Sequence, residues 1–133
     1  MSASPYALCR AEADRIYLPG LATAHSHAFQ RVLRGRTQRA ALRADTFWKW
    51  RELMYSTAAS VDVEAMRAVA RFAYAELALA GVTAVGEFHY VHHDTAGRPY
   101  KNRRAMADAV IGAAREVGLR VSLLRVVYER AGA

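Results

Sequence analysis

Two histidines one residue apart, His25 and His27, close the run Leu18-Pro19-Gly20-Leu21-Ala22-Thr23-Ala24-His25-Ser26-His27-Ala28-Phe29-Gln30. In an extended strand, residues i and i+2 share a face. If residues 21 to 27 are a strand, both imidazoles converge on one side. Two neutral imidazoles are good donors to Zn²⁺ or a comparable borderline divalent metal. The pair ends an apolar run that follows a Pro-Gly turn, which is where a barrel strand presents its catalytic side chains. The other histidines, His89, His92 and His93, gather behind a second apolar run. Their irregular spacing fits solvated or supporting side chains better than a metal centre of their own. Glu87 sits inside that second run and needs a partner if it is buried.

The elements that must position these residues alternate. After the first strand comes an irregular, Arg-rich connection. A helix is then predicted over Val61 to Ala80, with Ser60 as cap, Asp62 and Glu64 in the first turn and Gly81 as stop. Met66, Val69, Ala70, Ala73 and Leu77 form its apolar stripe. Val82 to Phe88 reads as a buried strand. A second helix is predicted over Arg103 to Val117, with Met106, Val110, Ala113, Ala114 and Val117 inward and Gly118 as stop. Leu119 to Tyr128 reads as a third strand. Strand-helix alternation places the chain in the α/β class with parallel βα units. It does not separate a closed barrel from an open doubly wound sheet, although no Gly-rich phosphate loop follows any strand.

Composition narrows the partners. Hydrophobic residues at 53% and charged residues at 23% are those of a globular domain. No apolar run approaches the roughly 20 residues that span a bilayer, and the N-terminus lacks the order of a signal peptide. Cys9 is the only cysteine, so no internal disulfide can form, which fits a reducing cytoplasm. Much of the net charge of +7 lies between residues 31 and 51, where Arg31, Arg34, Arg36, Arg39, Arg43, Lys49 and Arg51 accompany Asp45. Aromatic neighbours Phe47, Trp48 and Trp50 would suit base stacking. The arginines are nevertheless scattered among alanines and build no recognisable nucleic-acid module. The expected partner is a small molecule, with neither nucleic acid nor membrane. Trp48, Trp50, Met54 and Tyr55 fit a pocket wall or a subunit contact.

The run LPGLATAHSHAFQR resembles the first barrel strand of the metal-dependent amidohydrolases. Phe47-Trp48-Lys49-Trp50-Arg51-Glu52-Leu53-Met54-Tyr55 and Gly86-Glu87-Phe88-His89-Tyr90-Val91-His92-His93-Asp94, in this order, resemble an iminohydrolase branch of that family. The resemblance implies a (β/α)₈ barrel, which needs about 250 residues. The chain has 133. The expectation is therefore an unclosed partial barrel of about three βα units over residues 18–133. Residues 1–17 would be a remnant of the segment preceding the barrel, so the chain reads as a fragment.

The resemblance further implies hydrolysis of N-formimidoyl-L-glutamate to N-formyl-L-glutamate and ammonia, a step of histidine degradation, with one Zn²⁺ ion. His25 and His27 match metal ligands of the family. Gln30, Arg51 and Tyr90 match residues that hold the substrate. The family's other ligands, a histidine and an aspartate, have no counterpart before Ala133, and neither do its acid-base residues. The chain alone is thus expected neither to hold zinc tightly nor to turn over substrate, and a homodimer is expected for the intact family member. The alternatives are a related deaminase with another substrate, such as a nucleobase, and a non-catalytic remnant. A doubly carboxylated substrate is the one that needs Gln30, Arg51 and Tyr90 together.

Overall fold

Three apolar runs pair as parallel strands, and two of the helices between them pack together on one side of the sheet. The computed structural model describes residues 10–36 and 47–128; Cys9, Arg39, Arg43 and Asp45 lie outside them. A short antiparallel hairpin, β1 (Arg10–Glu12) and β2 (Arg15–Tyr17), comes first and is exposed throughout. Then follow β3 (Leu21–Ser26), a 3₁₀ helix over Ala28–Leu33, α1 (Phe47–Ser60), α2 (Val63–Leu79), β4 (Val82–His89), α3 (Ala105–Val117) and β5 (Arg120–Arg125).

The sheet order is β3-β4-β5, in register Thr23↔Val85 and Val85↔Val121. Right-handed crossovers between strands taken in sequential order place α2 and α3 on the same face. An open doubly wound sheet reverses its order and covers both faces. The structure settles what periodicity left open: α2 packs on α3 and on β4, and α3 packs on β5. The architecture is an unclosed portion of an α/β barrel. Gly86 belongs to the close β3–β4 contact, since a Cβ there would stand 3.1 Å from the Ala24 carbonyl oxygen.

The core lies between sheet and helices. Met66, Ala70 and Tyr74 of α2 are buried against Met106, Val110, Ala113 and Ala114 of α3, together with Val85 and Leu119. Most of this follows the predicted stripes, with Val69, Ala73, Leu77 and Val117 only partly buried. The cap of α2 is Asp62 rather than Ser60. Asp62 Oδ1 accepts from the Ala65 N–H at 2.8 Å, whereas Ser60 Oγ donates back to the Thr57 carbonyl. Helix α3 begins at Ala105, two residues later than predicted, and ends where Gly118 takes a left-handed φ of 86°.

The Arg-rich connection is the main correction. It holds the 3₁₀ helix and the fourteen-residue α1, of which only Met54 and Thr57 are buried. So little burial leaves no continuous apolar stripe to reveal a helix. The arginines here are not uniformly solvated either. Arg31 pairs with Glu76 through two nitrogens and lies 4.8 Å from the Phe72 ring centroid, and Arg34 also reaches Glu76. Hydrogen bonding from Arg31 pushes the Glu76 carboxyl below its usual range.

Candidate functional site

The face of the sheet turned away from α2 and α3 opens into a cavity of about 480 Å³. Strand alternation puts Phe88 and Tyr90 on its wall, while Glu87 and His89 point into the helix layer. His25, His27 and Gln30 enter from the end of β3, Trp50, Met54 and Tyr55 from α1, and Leu124 and Tyr128 from the β5 side.

The two imidazoles converge as predicted from their spacing. Their Nε2 atoms stand 2.9 Å apart, with the rings nearly perpendicular. His27 Nδ1 lies 3.0 Å from the Phe88 carbonyl oxygen. A carbonyl can only accept, so Nδ1 carries the proton and His27 Nε2 is left with a lone pair facing His25. Buried Glu87 finds its partner in the backbone. Its Oε1 accepts from the Ala28 N–H at 2.7 Å, pinning the chain just after His27.

Gln30 is half-buried and donates through Nε2 to the Tyr90 hydroxyl at 2.9 Å, and that hydroxyl lies 3.4 Å from Met54 Sδ. Burial pushes the Tyr90 phenol up, with the Gln30 bond working against it. Arg51 stands apart from the cavity lining. Its guanidinium carbon is 5.4 Å from the Trp48 ring centroid and 5.3 Å from that of Tyr55. The structure thus brings together His25, His27, Gln30 and Tyr90, and places Arg51 one residue along α1 from the cavity-lining Trp50.

Of the second histidine group, His89 corrects the expectation of a solvated side chain. It is 2% exposed, its Nε2 meets no hydrogen-bond partner among the described residues, and burial with His92 and Arg125 nearby lowers its pKa to about 4. His92 is half-buried against the Val126 carbonyl at 2.7 Å, and His93 is exposed. The polar pair missed by sequence reasoning is Glu87 with Tyr74. The Tyr74 phenol is raised by burial and by the Glu87 charge. A tyrosine among the alanines of α2 was the available signal.

Among the described residues no group of three or more histidine, cysteine, aspartate or glutamate side chains could enclose a metal. The donor chemistry of the histidine pair still fits a divalent ion. Two nitrogens bound to one tetrahedral zinc at about 2.05 Å lie about 3.3 Å apart, close to the separation seen. No helix of the described residues is long and apolar enough to cross a membrane.

This chain belongs to the amidohydrolase family, whose model matches residues 16–132. It is 44% identical over 115 residues to the formimidoylglutamate deiminase of Pseudomonas aeruginosa, covering 86% of this chain and 25% of that protein. The crystal structure of an amidohydrolase from Brucella melitensis superposes with a TM-score of 0.73 at 47% identity, over 79% of this chain and 23% of that one. A mutant of the atrazine chlorohydrolase TrzN from Arthrobacter aurescens TC1, complexed with zinc and atraton, superposes with a TM-score of 0.64 at 26% identity. That match covers 80% of this chain and 23% of the other. The chain therefore spans about a quarter of the length of these relatives.

Proposed function

We propose that this chain forms the first part of a metal-dependent iminohydrolase that converts N-formimidoyl-L-glutamate and water to N-formyl-L-glutamate and ammonia. The observation that carries the reading is the convergence of His25 and His27 beside the Gln30–Tyr90 pair on one cavity wall. Likeness to a deiminase of that substrate supplies the reaction. The metal is zinc by preference, since imidazole suits it and a related structure holds it. When bound, such an ion brings the pKa of its water near neutrality and so supplies hydroxide at pH 7.

The chain's own residues divide the remaining work. His25 and His27 would hold the ion through Nε2, and the Phe88 carbonyl fixes the tautomer of His27. Gln30 and Tyr90 keep each other in place, so their remaining hydrogen-bonding capacity meets a carboxylate or N–H of the substrate. Arg51 offers a planar fork to the other carboxylate. Proton transfer to the departing nitrogen and the remaining ligands come from residues other than those described. A reducing cytoplasm and a homodimer of the intact enzyme complete the reading, with residues 1–17 assigned to the segment ahead of the barrel.

The test is titration of the chain with Co²⁺ or Zn²⁺, followed by the imidazole proton resonances, and an ammonia-release assay on N-formimidoyl-L-glutamate. The expected result is metal-dependent shifts of His25 and His27 that vanish in His27→Ala, with weak affinity and no ammonia from this chain alone. Metal binding that survives the loss of both histidines would sink the assignment.

A further inference from the structure

Arg51 has no acidic partner among the ion pairs of the described residues; two aromatic rings take that place. Trp48, Arg51 and Tyr55 are spaced i, i+3 and i+7, which stacks them along one face of α1. The guanidinium carbon lies 5.4 Å from the Trp48 centroid and 5.3 Å from the Tyr55 centroid, both within the range of cation–π attraction. Phe47 in turn packs edge-on against Trp48, with centroids 5.6 Å apart. Tyr55 also lines the cavity, so the clamp touches the wall beside Tyr90 and Met54.

We infer that Trp48 and Tyr55 are positioning residues that hold the Arg51 guanidinium beside the cavity without neutralising it. The inference rests on the reading of Arg51 as a carboxylate partner. An acidic neighbour would fix the side chain equally well, but it would compete with an anionic substrate for the same N–H donors. Aromatic faces restrain the cation and leave its in-plane donors available for a bidentate carboxylate. Trp48 is 60% exposed, so its ring has little part in holding the core.

The experiment is NMR of the Arg51 Nε–H resonance in the full chain, assigned by its disappearance in Arg51→Lys, with glutarate as the dicarboxylate probe. The ring currents of Trp48 and Tyr55 should displace this resonance. Trp48→Leu should return it toward the position of a solvated arginine and weaken glutarate binding about threefold to tenfold, consistent with one partly exposed cation–π contact. Trp48→Phe should restore most of both effects, which a merely structural role would not require. An Arg51 signal unmoved by Trp48→Leu and by Tyr55→Leu overturns the clamp. A signal that responds to the ring substitutions but not to glutarate overturns Arg51 as a carboxylate partner, and with it the purpose assigned to the rings.

Discussion

The two faces of β4 treat polar side chains in opposite ways. On the helix side, Glu87 and His89 are 1% and 2% exposed and are enclosed by the core. On the cavity side, the polar groups of His27, Gln30 and Tyr90 are half-buried and bonded to one another or to the backbone. One alternating strand thus separates polar groups that hold the fold from polar groups free to meet a ligand. Charge inside a core costs several kcal/mol when a partner is lost, whereas a half-buried group can turn to water. The contrast predicts a steep gradient of stability effects across one strand.

Glu87→Ala should give the largest effect. It empties a packed site, strands the Ala28 N–H and leaves the buried Tyr74 hydroxyl facing a void. A loss of about 3–4 kcal/mol is expected, combining a cavity with an unsatisfied donor. Urea unfolding measures it. Glu87→Gln should recover part of the loss, because its amide oxygen can still accept from Ala28. A loss below 1 kcal/mol in Glu87→Ala would erase the contrast between the faces.

Acid should act next, through His89. Its folded pKa of about 4 lies below the ordinary 6.5, so the folded state binds fewer protons between those values. Stability from this group is therefore complete above about pH 6.5 and falls as the pH drops toward 4, by about 2–3 kcal/mol in all. The neighbouring His92 and Arg125 side chains work in the same direction as burial. Unfolding free energies at pH 7.5 and pH 4.5 should differ by this amount in the parent. In His89→Asn the difference should shrink to what the remaining groups contribute. An undiminished acid sensitivity in that variant would assign the effect elsewhere.

Sequence made some of this legible and not the rest, for physical reasons. The strands and α2 and α3 follow from apolar runs and 3.6-residue stripes, because burial on one side imposes those periods. The pairing of His25 with His27 followed from strand alternation alone, and Tyr90 stands two residues beyond Phe88 on the same face. Helix α1 was hidden, since Phe47 and Trp48 are 65% and 60% exposed and make no stripe against the core. The cap of α2 was displaced because Asp62, two residues beyond Ser60, is the residue whose side chain reaches the Ala65 N–H. The burial of His89 was invisible because it depends on β5 and the chain just after it, which pair with His89 from far along the sequence. Long-range contacts of this kind also pair Arg31 and Arg34 with Glu76, a partner that no spacing along the chain reveals.

The smallest stability effect belongs to the cavity face, and it is the one that sharpens the comparison most. Tyr90→Phe removes a hydroxyl that accepts from Gln30 and approaches Met54 Sδ, yet keeps the ring against Phe29 and Phe88. A half-buried hydroxyl bond of this kind contributes about 0.5–1 kcal/mol, several-fold less than the expected cost of Glu87→Ala on the opposite face. The released Gln30 amide should show this as faster hydrogen exchange of its side-chain N–H₂, read by NMR, with the fold otherwise intact. If Tyr90→Phe instead costs as much as Glu87→Ala, the Gln30–Tyr90 pair is a structural tie. Its hydrogen-bonding capacity would then be committed to the fold, and the cavity would lose the polar wall that a carboxylated substrate requires.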